Sequence, residues 1–186
     1  AQRLHGIGAY ANKTYTRFFQ PSSGELIVQY WFFYYHNPKT YFGFGAHEGD
    51  WEMVQVHLDA GGNPVRATYA QHGGGERCDW IHVQRTADGR PIAYIAEGSH
   101  ATYFSSGYHF NEGADDTANG DGEVVTPSRI DVSFEPPWTA WQGKWGGSDS
   151  SPQGPAFQSK WTDQIEQLAA IGDRPILARE HEDEVH

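Results

Sequence analysis

The sequence holds a single cysteine, Cys78, so no disulfide can close within the chain, and cysteine usage leaves the redox compartment open. It is also short of basic residues: 13 Lys and Arg stand against 24 Asp and Glu, a formal net charge of −11. With no basic run to offset phosphate charge, nucleic acid and anionic membranes are poor partners. No apolar run approaches the roughly 20 residues that a bilayer-spanning helix needs, so no transmembrane segment is expected. Helical periodicity is scarce too, and internal repeats are missing. The chain opens at Ala1 with no basic-then-apolar leader. We therefore expect a processed mature form or an excised segment, and a secreted or extracellular protein.

What is abundant is aromatic and glycine. Aromatics make up 15% of the chain and glycines number 22, a mix that favours strands and turns. The 186 residues suit one domain, with a core large enough to need no covalent staple. Residues 26–35 are nearly continuous β-favouring types and read as a strand buried on both faces. Residues 50–59 and 65–71 follow as strands, then 80–84 and 91–97 around the hairpin signal Asp88-Gly89. Strands at this spacing, with no helical pattern between them, predict a mainly β chain: an antiparallel β-sandwich, jelly-roll-like, with long irregular loops. Residues 111–123 read as an acidic, glycine-rich loop, and 136–161 as an irregular segment pinned by its own tryptophans. A short C-terminal helix is expected from Trp161, with Ile165, Leu168 and Ala169 on one face. The expected layout is one domain over 1–186, its core at about 24–161 and its helix and tail at 161–186.

Chemistry concentrates at His47-Glu48-Gly49-Asp50-Trp51-Glu52. Strand alternation puts Asp50 and Glu52 on one face with Val54, Val56 and Leu58, so two carboxylates extend an apolar stripe. Two such groups repel and are desolvated unless a cation or strong donors face them. A divalent metal held by His47, Asp50 and Glu52 meets that need. The competing reading pairs the carboxylates with Arg66 or Arg85 and leaves His47 in a loop. Two more strand ends carry a histidine among glycines, Gln71-His72-Gly73-Gly74 and Glu97-Gly98-Ser99-His100. Adjacent strands would bring the three histidines together. Asp116, in the acidic loop, is a further carboxylate within possible reach. Ca, Mg, Mn, Zn and Fe are all compatible with such a donor set.

Several segments taken together resemble a known family. Gln29-Tyr30-Trp31-Phe32-Phe33-Tyr34, the His47–Glu52 hexapeptide, Tyr69-Ala70-Gln71-His72-Gly73-Gly74 and Gly98-Ser99-His100-Ala101-Thr102-Tyr103 resemble proteins related to vacuolar protein sorting protein sixty-two. Gly143-Lys144-Trp145-Gly146 and Ser151-Pro152-Gln153-Gly154-Pro155 fit the same family. That resemblance implies no particular activity. A more distant one is to necrosis- and ethylene-inducing peptide-like proteins, which carry a Gly-His-Arg-His-Asp-Trp-Glu heptapeptide and a later Ser-Ala-His-Gly-Gly segment. It implies a β-sandwich and a divalent metal that engages sphingolipid sugar head groups. On it, His47, Asp50 and Glu52 match ligand positions and His72 the later histidine. Gly49 replaces the heptapeptide's second histidine, and Asn37 is the nearest match to an upstream aspartate ligand.

The expected function is therefore that of a metal-dependent protein acting on glycans or glycoconjugates, as a hydrolase or lyase with one divalent ion. His72 and His100 are the candidate general acid and base, with Glu48 and Glu97 as further carboxylates. Trp51, Tyr103 and Arg77 are the candidate substrate contacts. The alternative is a non-catalytic, toxin-like module that binds a glycan or glycolipid head group through the metal.

Overall fold

The computed structural model describes residues 12–21, 24–38, 46–72, 74–111 and 114–162. The chain is mainly β. Its main sheet is built from β1 (Lys13–Phe19), β2 (Leu26–Asn37), β3 (His47–Leu58), β4 (Pro64–Gln71), β5 (Gly74–Asp79) and β10 (Ser128–Asp131). The order across the sheet is β10-β1-β2-β3-β4-β5. Every pairing is antiparallel except β1 with β10, which is parallel. Two ribbons flank it: β6 (Tyr94–Ile95) with β7 (Thr102–Tyr103), and β8 (Gly107–Asn111) with β9 (Ala114–Ala118). Among the described residues these are the only sheets, so the second large sheet expected of a sandwich is not among them.

The central pair, β2 and β3, is buried on both faces, because its residue types are apolar or aromatic on both parities. One face carries Trp31, Trp51, Met53 and Ala70, covered by Trp138, Trp145 and Trp161 from the later irregular segment. The tryptophans of 136–161 are thus the local core that the sequence predicts. The other face carries Val54, Val56, Ala67 and Tyr69 under Val83 and Phe104. Each fully buried large side chain contributes about 1.5–3 kcal/mol of burial free energy, which makes this pair the rigid floor of the molecule.

Elements differ from the sequence reading at several points. Lys13–Phe19, outside the expected core of about 24–161, is β1, because Tyr15 and Phe19 alternate with threonines against β2. Residues 80–84 form no strand; Trp80–His82 is a 3-10 turn. Of 91–97, only Tyr94 and Ile95 pair in a ladder. The supposed acidic loop contains β9, which is held by β8. Trp161 lies in a 3-10 turn, Ser159–Thr162, and the rest of the expected C-terminal helix lies outside the described residues. Among the described residues no helix is long and apolar enough to cross a membrane.

Candidate functional site

The register of β2 on β3 sets the site's first layer. Tyr34 stands opposite Asp50, Phe32 opposite Glu52, and Asn37 opposite His47. Asp50 and Glu52 therefore share a face with Tyr34, as strand alternation requires. Beyond Val54, β4 no longer pairs with β3, and Thr102 of β7 spans the opening. Its hydroxyl donates to the Ala70 carbonyl at 2.7 Å, and Gln71 Nε2 donates back to the Thr102 carbonyl at 3.0 Å. This docks the residue 96–101 turn over the end of β3.

That turn delivers His100. Its backbone φ is +60°, and that of His72, just past β4, is +43°. Left-handed conformations cost a non-glycine residue about 1–2 kcal/mol, so the surrounding bonds must hold both histidines in place. His100 stacks flat on Tyr34, with ring centroids 4.1 Å apart and 2° between planes. Its Nδ1 lies 3.0 Å from Asp50 Oδ2.

A second carboxylate node lies alongside. The Glu97 N–H donates to the Thr117 carbonyl, tying β9 to the same turn and bringing Asp116 inward. Asp116 is buried and accepts from Ser99 Oγ at 2.6 Å and Tyr103 OH at 2.6 Å. His72 Nε2 lies 2.8 Å from the same carboxylate. Burial alone would raise the Asp116 pKa, but the bonds from His72, Ser99 and Tyr103 outweigh it and hold the group below its ordinary value.

Glu52 is the unusual member. It is 6% exposed. Burial, reinforced by Asp50 and Asp116 and opposed by Lys160, pushes its pKa up to about 8. Lys160 Nζ is 3.7 Å from Glu52 Oε2, an ion pair too long for a hydrogen bond, and that oxygen has no donor. Tyr34, half-buried above the pair, is raised by desolvation first and then by Glu52 and Asp50, so it stays a neutral hydroxyl.

Arg66 and Arg85, the arginines of the alternative reading, bond other groups. Arg66 bonds Glu25 at 2.7 Å, and Arg85 bonds the Trp80 carbonyl. The counter-charge of Glu52 is Lys160, more than a hundred residues away in the chain, which sequence reasoning missed. It also missed Tyr34 and Ser99. Alternation on β2 could have found Tyr34, since it shares the parity of Phe32 and Tyr30; nothing local marks Lys160 or Ser99.

The donor chemistry fits a cation. The Asn37 amide is best satisfied with its NH2 donating to the carbonyls of Pro38 at 2.9 Å and Gly98 at 3.1 Å. Its side-chain oxygen then faces Asp50 Oδ2 at 3.4 Å, two acceptors with no proton between them. Of the acceptor atoms here, Glu52 Oε2 is fully buried without a donor, while Asp50 Oδ2 is half-buried and has His100 Nδ1 at 3.0 Å. His47 Nδ1 lies 2.7 Å from the Gly49 carbonyl, which places its proton there and leaves Nε2 as a lone-pair donor. Among the described residues, no three His, Cys, Asp or Glu side chains stand close enough to enclose an ion as they are placed.

Other expected site residues have different positions. Trp51 and Tyr103 are buried, at 3% and 0% exposure, so neither can meet a ligand from solvent. Trp51 is packed among Phe33, Trp145 and Tyr15. Arg77 is exposed on β5 opposite Thr68, three residues from the β5 end that pairs with Gln71. Glu48 accepts from the Gly147 N–H at 2.6 Å and anchors the 145–148 segment. That segment and the start of β3 line an open cleft of about 290 Å³, with His36, Ala46, His47, Glu48, Gly147 and Ser148 at its walls.

No protein-family model matches the chain. Among curated proteins it is similar to vacuolar protein sorting-associated protein 62 of Saccharomyces cerevisiae, at 28% identity over 201 residues. The match covers 86% of this chain and 42% of the yeast protein. TDA6, a second relative of the same yeast named for vacuolar protein sorting, is 28% identical over 179 residues, covering 73% of this chain and 38% of its own. The chain thus spans about two fifths of the curated relatives it matches. A solved structure described as a toxin fold for microbial attack and plant defense matches with a TM-score of 0.51 and 16% identity. It covers 86% of this chain and 68% of that one, and it shows a shared fold. Both resemblances read from the sequence are met.

Proposed function

We propose that this chain is a divalent-cation-dependent binding domain for glycans or glycoconjugates. Asn37, Asp50 and Glu52 supply oxygen donors, and His47 supplies a ring nitrogen through Nε2. The observation that carries the reading is Glu52 Oε2, a buried carboxylate oxygen without a donor, with the half-buried Asn37 oxygen facing Asp50 Oδ2. A buried acceptor without a partner costs about 1–3 kcal/mol, more when charged, and a cation removes that cost. When bound, the ion supplies a Lewis-acid centre to which neighbouring sugar hydroxyls can coordinate. Oxygen donors favour Ca or Mg, while His47 also admits Mn or Zn.

The ligand class rests on the sequence resemblance to necrosis- and ethylene-inducing peptide-like proteins and on the adjoining cleft. His36, His47, Glu48 and Ser148 put polar side chains on the walls of that cleft, where a hydroxyl-rich ligand could hydrogen-bond. Such a ligand accords with action outside the cell.

A second reading, hydrolase or lyase, is favoured by the His72–Asp116 pair. Asp116 accepts a hydrogen bond from the Nε2–H, which makes Nδ1 the proton-accepting nitrogen on a ring that is 38% exposed. His100 is the weaker candidate, because it is committed to Asp50 and Tyr34.

The test is retention on a glycan array after chelation and after refeeding Ca, Mg, Mn or Zn, with Asp50→Asn and His72→Ala beside wild type. Cation-dependent retention that Asp50→Asn loses and His72→Ala keeps, with no product formed, is the expected result. Product formed by wild type and lost in His72→Ala would install the enzyme instead. Retention indifferent to cation would sink both.

A further inference from the structure

The turn Ser159–Thr162 is held by groups that take no part in the proposed cation site. Gln29 Nε2 donates to the Lys160 carbonyl at 2.9 Å, and Arg17 Nη1 to the Trp161 carbonyl at 2.8 Å. The Trp161 ring lies 5.4 Å from Trp31 and 4.3 Å from the Arg17 guanidinium. The backbone at Lys160 is thus fixed without help from its own ammonium. Yet the lysine is 7% exposed, with its Nζ set 3.7 Å from Glu52 Oε2. A buried ammonium is costly unless a charge faces it, and an aliphatic residue would fill the same space without that cost. The spacing is also too long for a hydrogen bond, so Glu52 Oε2 remains open to a second positive partner.

We propose that Lys160 is a built-in competitor for the divalent cation, facing Glu52 in the cation-free protein and weakening the hold of the site on the ion. The inference rests on the reading of Asn37, Asp50 and Glu52 as the cation site. Like charges a few ångströms apart repel strongly where solvent is excluded. An ion entering beside Asp50 and Glu52 therefore meets the tethered ammonium as well as the carboxylates. The ion exchanges with the surroundings instead of being locked in, and the site keeps a counter-charge when the ion leaves.

The test is calorimetric titration of Ca and Mn alone into the chelator-stripped full chain, with melting temperatures measured in parallel. Wild type, Lys160→Met, Lys160→Arg and Asp50→Asn are compared. Lys160→Met is expected to bind roughly tenfold tighter or more, given the strength of a like-charge contact at this distance. Its melting temperature should rise further on cation addition than that of wild type, and Lys160→Arg should behave as wild type does. A Lys160→Met protein that folds only with cation present supports the competition as well. If Lys160→Met binds no tighter than wild type while Asp50→Asn loses binding, the competition is overturned and the site reading stands. Failure of Lys160→Met to fold with or without cation also overturns it, by making the ammonium structural. No binding by any of the proteins overturns the site reading and this inference with it.

Discussion

Replacing Glu52 by glutamine removes a carboxylate whose burial works against the fold. Its pKa rises from the ordinary 4.5 to about 8 in the folded chain. The folded state then holds a proton that the unfolded chain gives up, so the contribution to stability is complete below about pH 4.5. It is lost progressively as pH rises through 8. At about 1.4 kcal/mol per pH unit, the full loss is about 5 kcal/mol. The amide has the same shape and does not titrate, so Glu52→Gln lacks this slope. Where Glu52 is ionised Lys160 faces an anion that the variant lacks, an attraction already contained in the pKa of about 8, so the difference in slope stays intact. Urea denaturation of both proteins in chelator, from pH 4.5 to 8.5, reads the effect directly. Wild type should fall relative to Glu52→Gln across that window, by at most about 5 kcal/mol. Saturating divalent cation should abolish most of the relative fall, because the ion binds the ionised carboxylate. A difference that stays flat with pH in chelator would mean that Glu52 titrates normally and that the argument from burial is wrong.

Three further outcomes follow from contacts already described. Asp116→Asn leaves at least one of the three donors Ser99, Tyr103 and His72 poorly matched, and it should cost about 1–3 kcal/mol by chemical denaturation; a loss under about 0.5 kcal/mol would show the node to be slack. Gly49→Ala adds a Cβ 2.0 Å from the Trp145 carbonyl oxygen at a φ of +73°. It should cost about 3 kcal/mol or more and change the near-ultraviolet dichroism of the tryptophans, and an unchanged spectrum would count against the close packing of 145–148 on β3. Thr102→Val removes the hydroxyl that bridges to the Ala70 carbonyl. Hydrogen exchange at residues 96–101 should quicken, with a loss of about 1–2 kcal/mol; exchange equal to wild type would place the docking of that turn elsewhere.

The sequence by itself determined the β character of the chain and the two-sided burial of β2. It also determined the alternation that sets Asp50 and Glu52 on one face of β3. These are properties of period and residue type, which a strand expresses wherever it lies. The histidines at 72 and 100 were legible as strand-end features among glycines, and both occupy left-handed backbone near the site. Only the tertiary structure decided what each group faces. Asp116 reaches Ser99 and Tyr103 because β8 pairs with β9, a hairpin hidden in a run whose composition reads as a solvated loop. Trp51 and Tyr103 are enclosed because 136–161 and the ribbons fold over the sheet, which no local pattern on either residue announces. Lys160 meets Glu52 across more than a hundred residues, carried there by Gln29 and Arg17. Charge compensation in a core depends on distance in space, and a sequence states only distance along the chain.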